Sequence, residues 1–374
     1  MDCTVGIGLL GCGTVGASVA QRLLHERDAI ERRSGIKYEL RAIAIANADK
    51  VRPSSIDARL FTRNGRALVD DPRVDLVVEC IGGVSDASEL IERALERGRF
   101  VVTANKDLIA TQGPRLLALA QSRGTSLRYE AAACGAIPIV RSLDDGLAGD
   151  RILALGGVMN GTCTAILSAM EGGEEYNAAL ARAQELGYAE ANPSSDVDGD
   201  DAAHKLALLM QLAFGLAVIS PRVRRSGIAN VSRRDIARAQ MLGYRIRLVA
   251  AAVRDDRGAS GEVAPVLVAA DHPFAKACGP ENVVRVVARD AGPLVFSGRG
   301  AGGFPTASAV LGDVVTALRA IAQHRRPHVA GLEPALEVGP LFASLPRHPE
   351  LPRYAVWDDD ILEAPVSQAS SALV

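Results

Sequence analysis

Residues 4–24 decide the fold, because they read TVGIGLLGCGTVGASVAQRLL: an apolar run, a cluster of glycines and then a helical pattern. Two overlapping G-x-G-x-x-G registers fit this stretch, one starting at Gly6 and the other at Gly11. The second follows a full strand and opens the helical run Val15–Leu24, so it is the register we adopt. Glycines at this spacing permit a tight turn, close approach of a pyrophosphate to the backbone and close helix–strand packing. The alternative is a glycine-rich turn that binds nothing.

The first part of the chain, up to Pro138, alternates between short apolar runs and helical patterns. The pattern Ala87–Arg97, for example, places its apolar side chains on one face and is followed by Gly98. Short strands separated by helices indicate βαβ units and a parallel sheet. We therefore predict an α/β fold with a Rossmann-type parallel sheet in a nucleotide-binding domain. The predicted strands are Thr4–Leu10, Glu39–Ala46, Val74–Cys80, Phe100–Thr103 and Ser126–Ala131.

The pattern changes after Pro138 and indicates an α+β domain. A glycine-rich stretch over 156–162 precedes one helix, and the acidic segment Glu190–Asp201 opens another that runs to Phe214. A second glycine-rich turn, over 298–303, leads into a final helix, Ala307–Gln323. The β-like runs between them are Ile246–Val253, Val263–Ala269 and Val283–Val287.

These changes predict three segments. Residues 1–137 with 301–325 form a dinucleotide-binding domain, and residues 138–300 form a catalytic and dimerisation domain. Residues 326–374 form a C-terminal extension, which either packs against the rest or is partly disordered.

Composition narrows the classes of partner and compartment. The net charge of −2 provides no basic field for nucleic acid or anionic lipid. We find neither a signal peptide nor an apolar run of the roughly 18 residues that span a membrane. The six cysteines are scattered singly, which favours buried thiols in a reducing compartment. We expect a cytoplasmic protein that acts on a small molecule, with neither nucleic acid nor membrane as a partner.

The loop after the second predicted strand bears on the choice between NAD and NADP. That strand ends at Ala46 and is followed by Asn47, where NAD-preferring sites usually carry an acidic residue for the ribose hydroxyls. Lys50 and Arg52 lie just beyond, and they either meet a 2′-phosphate or are solvated loop charges. The sequence leans towards NADP and leaves NAD open.

Asp201 and Lys205 stand four residues apart at the start of a predicted helix, so they project from one face. Spacing alone favours a surface ion pair, with Asp198 as the N-cap and Asp200 complementing the helix dipole. The functional alternative is that Lys205 donates a proton to a carbonyl oxygen during its reduction by hydride. The density of acids before this helix, including Asp196, suits a substrate ammonium group.

At this point the sequence closely resembles the homoserine dehydrogenase family, over roughly residues 4–323. The most specific segments are Gly187–Pro193 and Asp196–Lys205, which follow the family patterns G-Y-A-E-x-D-P and D-x-x-G-x-D-x-x-x-K. The remaining matches occur in the family's order: Thr103–Lys106, Asn160–Thr162, Leu242–Tyr244, and Gly298 through the run Pro305–Ala309.

The resemblance implies NAD(P)-dependent interconversion of L-aspartate 4-semialdehyde and L-homoserine, in threonine, methionine and isoleucine biosynthesis. It implies catalytic roles for Lys205, Asp201 and Lys106, with Lys205 as proton donor, and contacts from Glu190 and Asp196 to the substrate amino group. It also implies a cation loop, often holding sodium, at Glu130, Ala133, Gly135 and Ile137. The cofactor contacts expected on this basis are Gly11, Gly13, Thr14, Val15, Gly16, Ala46, Ile81, Thr103, Lys106, Gly187 and Gly302.

The sequence departs from the family pattern in several places. Asn192 replaces an Asp, Ala136 replaces a common Gly of the cation loop, and Ala46 replaces the Arg of many NADP-using members. The tail is too short for the ACT domain that many members append, and no kinase domain precedes the glycine loop, so the expected form is monofunctional. We expect weak or absent threonine inhibition, which a steady-state assay measures.

The resemblance also implies a homodimer built by the second domain. Two other functions stay open from the residues alone. One is a different amino-acid dehydrogenase or semialdehyde reductase on the same scaffold, and the other is a non-catalytic protein that senses dinucleotides.

Overall fold

The computed structural model describes residues 4–218, 222–255, 258–323, 333–334, 338–359 and 362. The chain divides into two compact units. The first comprises Met1–Pro138 with Gly302–Gly331, and the second comprises Ile139–Ala301 with Leu332–Val374. The junction expected near residue 325 lies outside the described residues.

A parallel six-stranded sheet organises the first unit. Its strands are β1 (Val5–Leu10), β2 (Tyr38–Ala44), β3 (Phe61–Thr62), β4 (Leu76–Glu79), β5 (Phe100–Thr103) and β6 (Leu127–Arg128). The strand order is β3-β2-β1-β4-β5-β6. The chain adds strands on one side of β1 and then, from β4 onwards, on the other side, as in doubly wound nucleotide-binding folds. The predicted α/β fold is confirmed. Strand β3 is absent from the prediction because only two residues pair with β2.

Helices connect these strands. They are α1 (Thr14–His25), α2 (Arg27–Ser34), α3 (Gly65–Asp70), α4 (Ser85–Glu96) and α5 (Lys106–Ser122), with 3₁₀ turns at Ala58–Leu60 and Glu130–Ala132. All six residues of β1 are buried, which places this strand at the centre of the core. The predicted succession of strand, glycine turn and helix at the start of the chain is confirmed.

The second unit is a mixed α and β structure. Its helices are α6 (Ile139–Arg141), α7 (Gly161–Glu171), α8 (Tyr176–Glu185), α9 (Ser194–Val197), α10 (Asp200–Phe214), α11 (Arg233–Met241) and α12 (Pro273–Lys276), with a π turn at Ser142–Gly146 and a 3₁₀ turn at Phe342–Ser344. Its longer strands are β7 (Ile152–Val158), β10 (Tyr244–Asp255), β11 (Gly258–Ala269), β12 (Glu281–Ala288) and β13 (Gly292–Arg299). The short strands are β8 (Leu216–Ala217), β9 (Arg224–Arg225), β14 (Glu333–Pro334), β15 (Val338–Gly339), β16 (Arg347–His348) and β17 (Leu351–Ala355).

The main sheet of this unit has the order β13-β12-β7-β10-β11-β15, and β9 pairs with β11. The predicted runs near 246–253, 263–269 and 283–287 all lie in these strands. Strands β7 and β13 are additions that the sequence analysis did not make. The first three residues of the glycine-rich stretch, 156–158, belong to β7. Gly157 allows close packing there, because a Cβ at this position would overlap the carbonyl of Val283.

The described part of the C-terminal tail packs into the second unit. Trp357 is 5% exposed, and its ring centroid lies 5.4 Å from that of Phe274. Its indole N–H donates to Asp359, whose carboxylate also pairs with Arg285 at 2.7 Å. Of the two alternatives for the tail, packing therefore holds for these residues.

The helix α13 (Gly303–Ala322) returns to the first unit and packs against β5 and α1. Among the described residues it is the one helix long and apolar enough to cross a membrane, although the sequence analysis found no such run. Half of its most apolar window is buried inside the structure, including Val310, Val314 and Leu318. Asp313 also accepts a hydrogen bond from the backbone N–H of Glu130 at 2.8 Å. These contacts are those of a core helix.

Candidate functional site

The glycine turn between β1 and α1 has the geometry of a phosphate-binding loop. Gly11 has a φ of 93°, and a Cβ there would lie 2.6 Å from the carbonyl oxygen of Cys80. Gly13 is the N-cap of α1, has no side-chain cap, and faces open space with no atom within 4 Å of an added Cβ. The first N–H groups of α1, at Thr14 and Val15, therefore end in an open position that suits an anion.

The loop after β2 carries a cation held in place by the backbone. The guanidinium of Arg52 donates to the carbonyls of Asn47 and Lys50, the latter at 2.8 Å. It also lies 5.4 Å from the centroid of the Phe61 ring. Ala46, which begins this loop, is exposed. Arg52 is therefore held in place by neighbouring groups of its own loop.

A buried carboxylate that the sequence analysis missed organises the ends of β4 and β5. Glu79 is 0% exposed, and one carboxylate oxygen accepts the backbone N–H groups of Ile81 at 2.7 Å and Gly82 at 3.3 Å. The other accepts the hydroxyl of Thr103. Asn105 completes the arrangement by donating to the carbonyl of Gly83 at 2.6 Å. Because β4 and β5 are parallel neighbours, these groups fix the turn at the edge where cofactors bind in such sheets.

The elements of the first unit position Ile81, Thr103 and Lys106 together at this edge. The side chain of Ile81 is 40% exposed, whereas Thr103 is buried at the end of β5. Lys106 begins α5, and the side chain of Asn105 caps that helix by accepting the N–H of Leu108 at 3.1 Å.

In the second unit, the pair Asp201–Lys205 is buried, so the interpretation as a surface ion pair is wrong. The side chains are 5% and 11% exposed, and Nζ of Lys205 lies 2.8 Å from Oδ2 of Asp201. Nζ also donates to the carbonyl of Met159 at 2.7 Å. The predicted N-cap was also wrong: Gly199, in a left-handed conformation with a φ of 89°, precedes α10, and Asp198 ends α9.

Asn160 and Thr162 connect the carboxylate of Asp196 to this pair. The amide nitrogen of Asn160, a residue that is 2% exposed, donates to Asp201 at 2.8 Å and to Asp196 at 2.7 Å. Thr162 donates to the backbone of Tyr188 at 2.6 Å and lies 3.1 Å from the second oxygen of Asp196. In the sequence these residues stand out only as part of the motif Asn160–Thr162. The signal that could have identified them is an Asn at the N-cap of α7 beside an acidic loop.

The other predicted site residues, Gly187, Glu190 and Gly302, are exposed. Glu190 is exposed, and its backbone carbonyl accepts a hydrogen bond from Gln184 at 3.0 Å. Gly187 is exposed with a φ of 74°, whereas Gly302, with a φ of 119°, is the N-cap of α13 in the first unit.

The predicted cation loop lies at the end of the first unit's contiguous segment. Cys134 (φ 52°) and Gly135 (φ 60°) follow one another in the left-handed region, and Ile137 donates to the carbonyl of Cys134 at 3.2 Å. Within the described ranges, no group of three His, Cys, Asp or Glu side chains could hold a metal ion. Any ion at this loop would depend on backbone carbonyls.

The cluster in the second unit can exchange a proton with a small molecule. An ammonium group has three N–H donors, and those of Lys205 meet two acceptors within the part of the chain that the structure describes. One N–H is thus available to a ligand oxygen. Asp196 and Asp201 provide negative charge next to it, which suits a positively charged ligand group.

Two family models match the chain. One is described as homoserine dehydrogenase and matches residues 138–315. The other is described as the NAD binding domain of homoserine dehydrogenase and matches residues 11–130. The homoserine dehydrogenase of Corynebacterium glutamicum is 43% identical over 321 residues, which are 84% of this chain and 72% of that protein.

Solved structures give the same picture. A homoserine dehydrogenase from Thiobacillus denitrificans is 39% identical and superposes with a TM-score of 0.85, covering 91% of this chain and 80% of that one. A hyperthermophilic archaeal homoserine dehydrogenase in complex with NADPH is 26% identical, with a TM-score of 0.70, and covers 84% of this chain and 98% of that one.

Glu79 leads to a prediction about stability and pH. Burial raises the pKa of its carboxyl above the ordinary value of 4.5, although hydrogen bonds from Thr103, Ile81 and Gly82 oppose this. A carboxyl whose folded-state pKa is raised costs stability as the pH rises from 4.5 through the raised pKa. A glutamine side chain does not titrate, so the variant Glu79→Gln avoids this loss. We therefore expect the free energy of unfolding of Glu79→Gln, minus that of the unsubstituted protein, to increase as the pH rises across this window. Denaturant unfolding at a series of pH values measures the difference.

Glu26 provides a control of opposite sign. Its hydrogen bond from Arg22 lowers the pKa of the carboxyl, so Glu26→Gln should lose stability relative to the unsubstituted protein as the pH rises towards 4.5. Parallel trends for the two variants would contradict the account of Glu79.

Proposed function

Since the chain belongs to the homoserine dehydrogenase family, we propose that it reversibly reduces L-aspartate 4-semialdehyde to L-homoserine, with Lys205 as the proton donor. The enzyme is an NAD(P)-dependent oxidoreductase. The observation that carries the proposed mechanism is the buried ammonium group of Lys205, which hydrogen bonds to Asp201 and retains one N–H for a ligand. In this family the reaction serves threonine, methionine and isoleucine biosynthesis, and we propose the same role here.

The proton steps follow from the chemistry of the site. The nicotinamide, when bound, supplies the hydride to the aldehyde carbon. Negative charge then develops on the aldehyde oxygen, and Nζ of Lys205 donates the proton that makes it a hydroxyl. Asp201 stabilises the ammonium form before transfer through its 2.8 Å contact. In the oxidation of homoserine, the neutral amine of Lys205 takes the hydroxyl proton back.

Two acidic residues anchor the substrate in this proposal. Asp196, held by Asn160 and Thr162, is a fixed carboxylate for the substrate ammonium group. Glu190 is exposed and provides a second carboxylate on the same loop region. Holding the amino group orients the aldehyde for the transfer of hydride and proton.

The first unit supplies the proposed cofactor site. The residues fit a dinucleotide, because the open N-terminus of α1 suits the pyrophosphate and the Gly13 position leaves room for it. Lys106 and the turn at Ile81 lie at the strand ends where a nicotinamide would be oriented. The proposed cofactor contacts in this unit are Gly11, Gly13, Thr14, Val15, Gly16, Ala46, Ile81, Thr103, Lys106 and Gly302. We propose the domain limits 1–137 with 301–325 for this role and 138–300 for catalysis.

Arg52 supports a preference for NADP over NAD. Its guanidinium is held at the end of β2, where the ribose of a dinucleotide lies in Rossmann folds, and Lys50 adds a second positive charge. No acidic side chain directly follows β2 to favour the free ribose hydroxyls, because Ala46 and Asn47 occupy those positions.

Three further features belong to the proposal. The edge strand β13, whose Val295 is 51% exposed, pairs with a second copy to form a homodimer, which sedimentation would detect as a doubled mass.

Carbonyls of Glu130, Ala133, Gly135 and Ile137 hold a sodium ion, which a comparison of stability in sodium and choline salts checks. The left-handed Cys134 supports this loop as a functional feature. The enzyme acts in the cytoplasm.

The central prediction concerns Lys205. We expect Lys205→Ala to lower the turnover of homoserine oxidation by about a hundredfold or more, because an acid–base group is lost. The assay measures initial rates with NAD and with NADP separately. The matched control is His204→Ala, since the neighbouring residue on α10 points about 100° away around the helix. Equal activity in Lys205→Ala and the unsubstituted enzyme would refute the mechanism.

A second prediction concerns the choice of cofactor. We expect Arg52→Ala to raise the KM for NADP by about tenfold or more, because a charged hydrogen bond to the 2′-phosphate is lost. The KM for NAD should change little, so the ratio of the two is the measurement. Arg59→Ala is the control, since that arginine is 90% exposed and paired with Asp57. An equal loss with both cofactors would instead assign Arg52 a structural role.

A further inference from the structure

One backbone carbonyl in the second unit accepts hydrogen bonds from two side chains. The oxygen of Met159 lies 2.7 Å from Nζ of Lys205 and 3.2 Å from Nδ2 of Asn282. Met159 directly follows β7, Lys205 lies on α10, and Asn282 lies near the start of β12. Three separate elements therefore meet at a single acceptor.

The amide of Asn282 is buried, and its nitrogen donates to the Met159 carbonyl. The residue is 0% exposed, and Oδ1 has no partner among the residues that the structure describes. Buried acceptors left without a partner are rare in folded proteins. The bond to Met159 is the side-chain contact that fixes the orientation of this amide.

Gly300 leaves the space that this amide occupies. Its φ lies outside the left-handed region, so the backbone conformation there is open to any residue. A Cβ at this position would nevertheless overlap Cγ, Oδ1 and Nδ2 of Asn282. The N–H of Gly300 is bonded to the carbonyl of Pro280 at 2.8 Å, which prevents the loop from moving away easily. Gly300 belongs to the glycine-rich turn over 298–303, and the proposed function gives this glycine no role.

We propose that Asn282 is a positioning residue for Lys205, acting through the Met159 carbonyl, and that Gly300 is required because it leaves room for the Asn282 amide. This inference rests on the proposed function of Lys205. The amide holds the carbonyl at the point where it accepts one N–H of the ammonium group. With Asp201 accepting another, the third N–H has a fixed direction, and the proton it delivers arrives at a defined place.

The chemical type of residue 282 fits this role. A neutral amide donates to the carbonyl without adding charge beside the Asp201–Lys205 pair. Asn282→Asp has nearly the same shape, but its carboxylate repels the Met159 oxygen and offers Lys205 a competing acceptor. This substitution therefore tests the donor while largely preserving the packing.

The first experiment is a double-mutant cycle between positions 282 and 205, with kcat for homoserine oxidation as the readout. We expect Asn282→Ala and Asn282→Asp each to lower kcat by about tenfold or more, without a matching rise in the KM for homoserine, because a small misplacement of a catalytic group is costly. In the Lys205→Ala background the same substitutions should have little further effect. A defect of general folding would instead be the same in both backgrounds.

The second experiment uses Gly300→Ala, which keeps Asn282 but displaces its amide. It should reproduce the kcat loss of Asn282→Ala, and the double variant Asn282→Ala/Gly300→Ala should be no worse than either single variant. Gly149→Ala is the matched control, because a Cβ there meets no atom within 4 Å and the φ is not left-handed. Thermal unfolding of each variant checks whether the fold is retained.

The outcomes separate this inference from the proposed function. If Lys205→Ala is inactive but the Asn282 variants keep full kcat, the positioning role is wrong and the mechanism stands. If the Asn282 losses persist undiminished in the Lys205→Ala background, Asn282 acts independently of Lys205 and the inference is also wrong. If Lys205→Ala is fully active, the proposed mechanism fails first, and the inference fails with it.

Discussion

Lys205 carries its ammonium group into a place where the side chain is only 11% exposed, and a charge buried there requires acceptors. The second unit supplies a carboxylate from one turn earlier on the same helix and a carbonyl from the end of β7. Both are fixed by neutral amides, Asn160 on Asp201 and Asn282 on Met159. The cost of burial is thus met by two acceptors, and the third N–H is left for chemistry.

Neutral amides solve a problem that charged residues would make worse. Asp196 and Asp201 are both within hydrogen-bonding distance of one nitrogen, so two negative charges lie close together. A second lysine between them would neutralise the negative charge that, in the proposed function, binds the substrate ammonium group. The amide of Asn160 holds both carboxylates without neutralising either, and its oxygen also caps α7. The positions of the two carboxylates are therefore fixed without a change in their net charge.

The sequence predicted the elements whose signal is periodic and local. The strand, glycine turn and helix at Gly11–Gly16 and the four-residue spacing of Asp201 and Lys205 were readable because each depends on neighbours along the chain. Whether that pair was buried was not readable, because burial comes from β7 and the elements that pack on it. Strand β7 itself was missed for a related reason: Gly157 avoids overlap with the Val283 carbonyl of β12, and this contact is 126 residues distant in sequence.

The two units hold opposite charges by different means, and this difference explains which residues the sequence could reveal. The glycine turn offers backbone N–H groups to an anion, and it requires glycines at fixed positions. Glycines at a fixed spacing are visible in the sequence as a motif. The second unit instead uses side chains, and the placement of Lys205 depends on partners such as Asn282. In the first unit, the placement of the Glu79 carboxylate depends likewise on Thr103. Such partners follow no spacing rule, since a hydrogen bond between strands requires only that the strands be adjacent. A residue of this kind is found from coordinates, by asking what holds each functional group still.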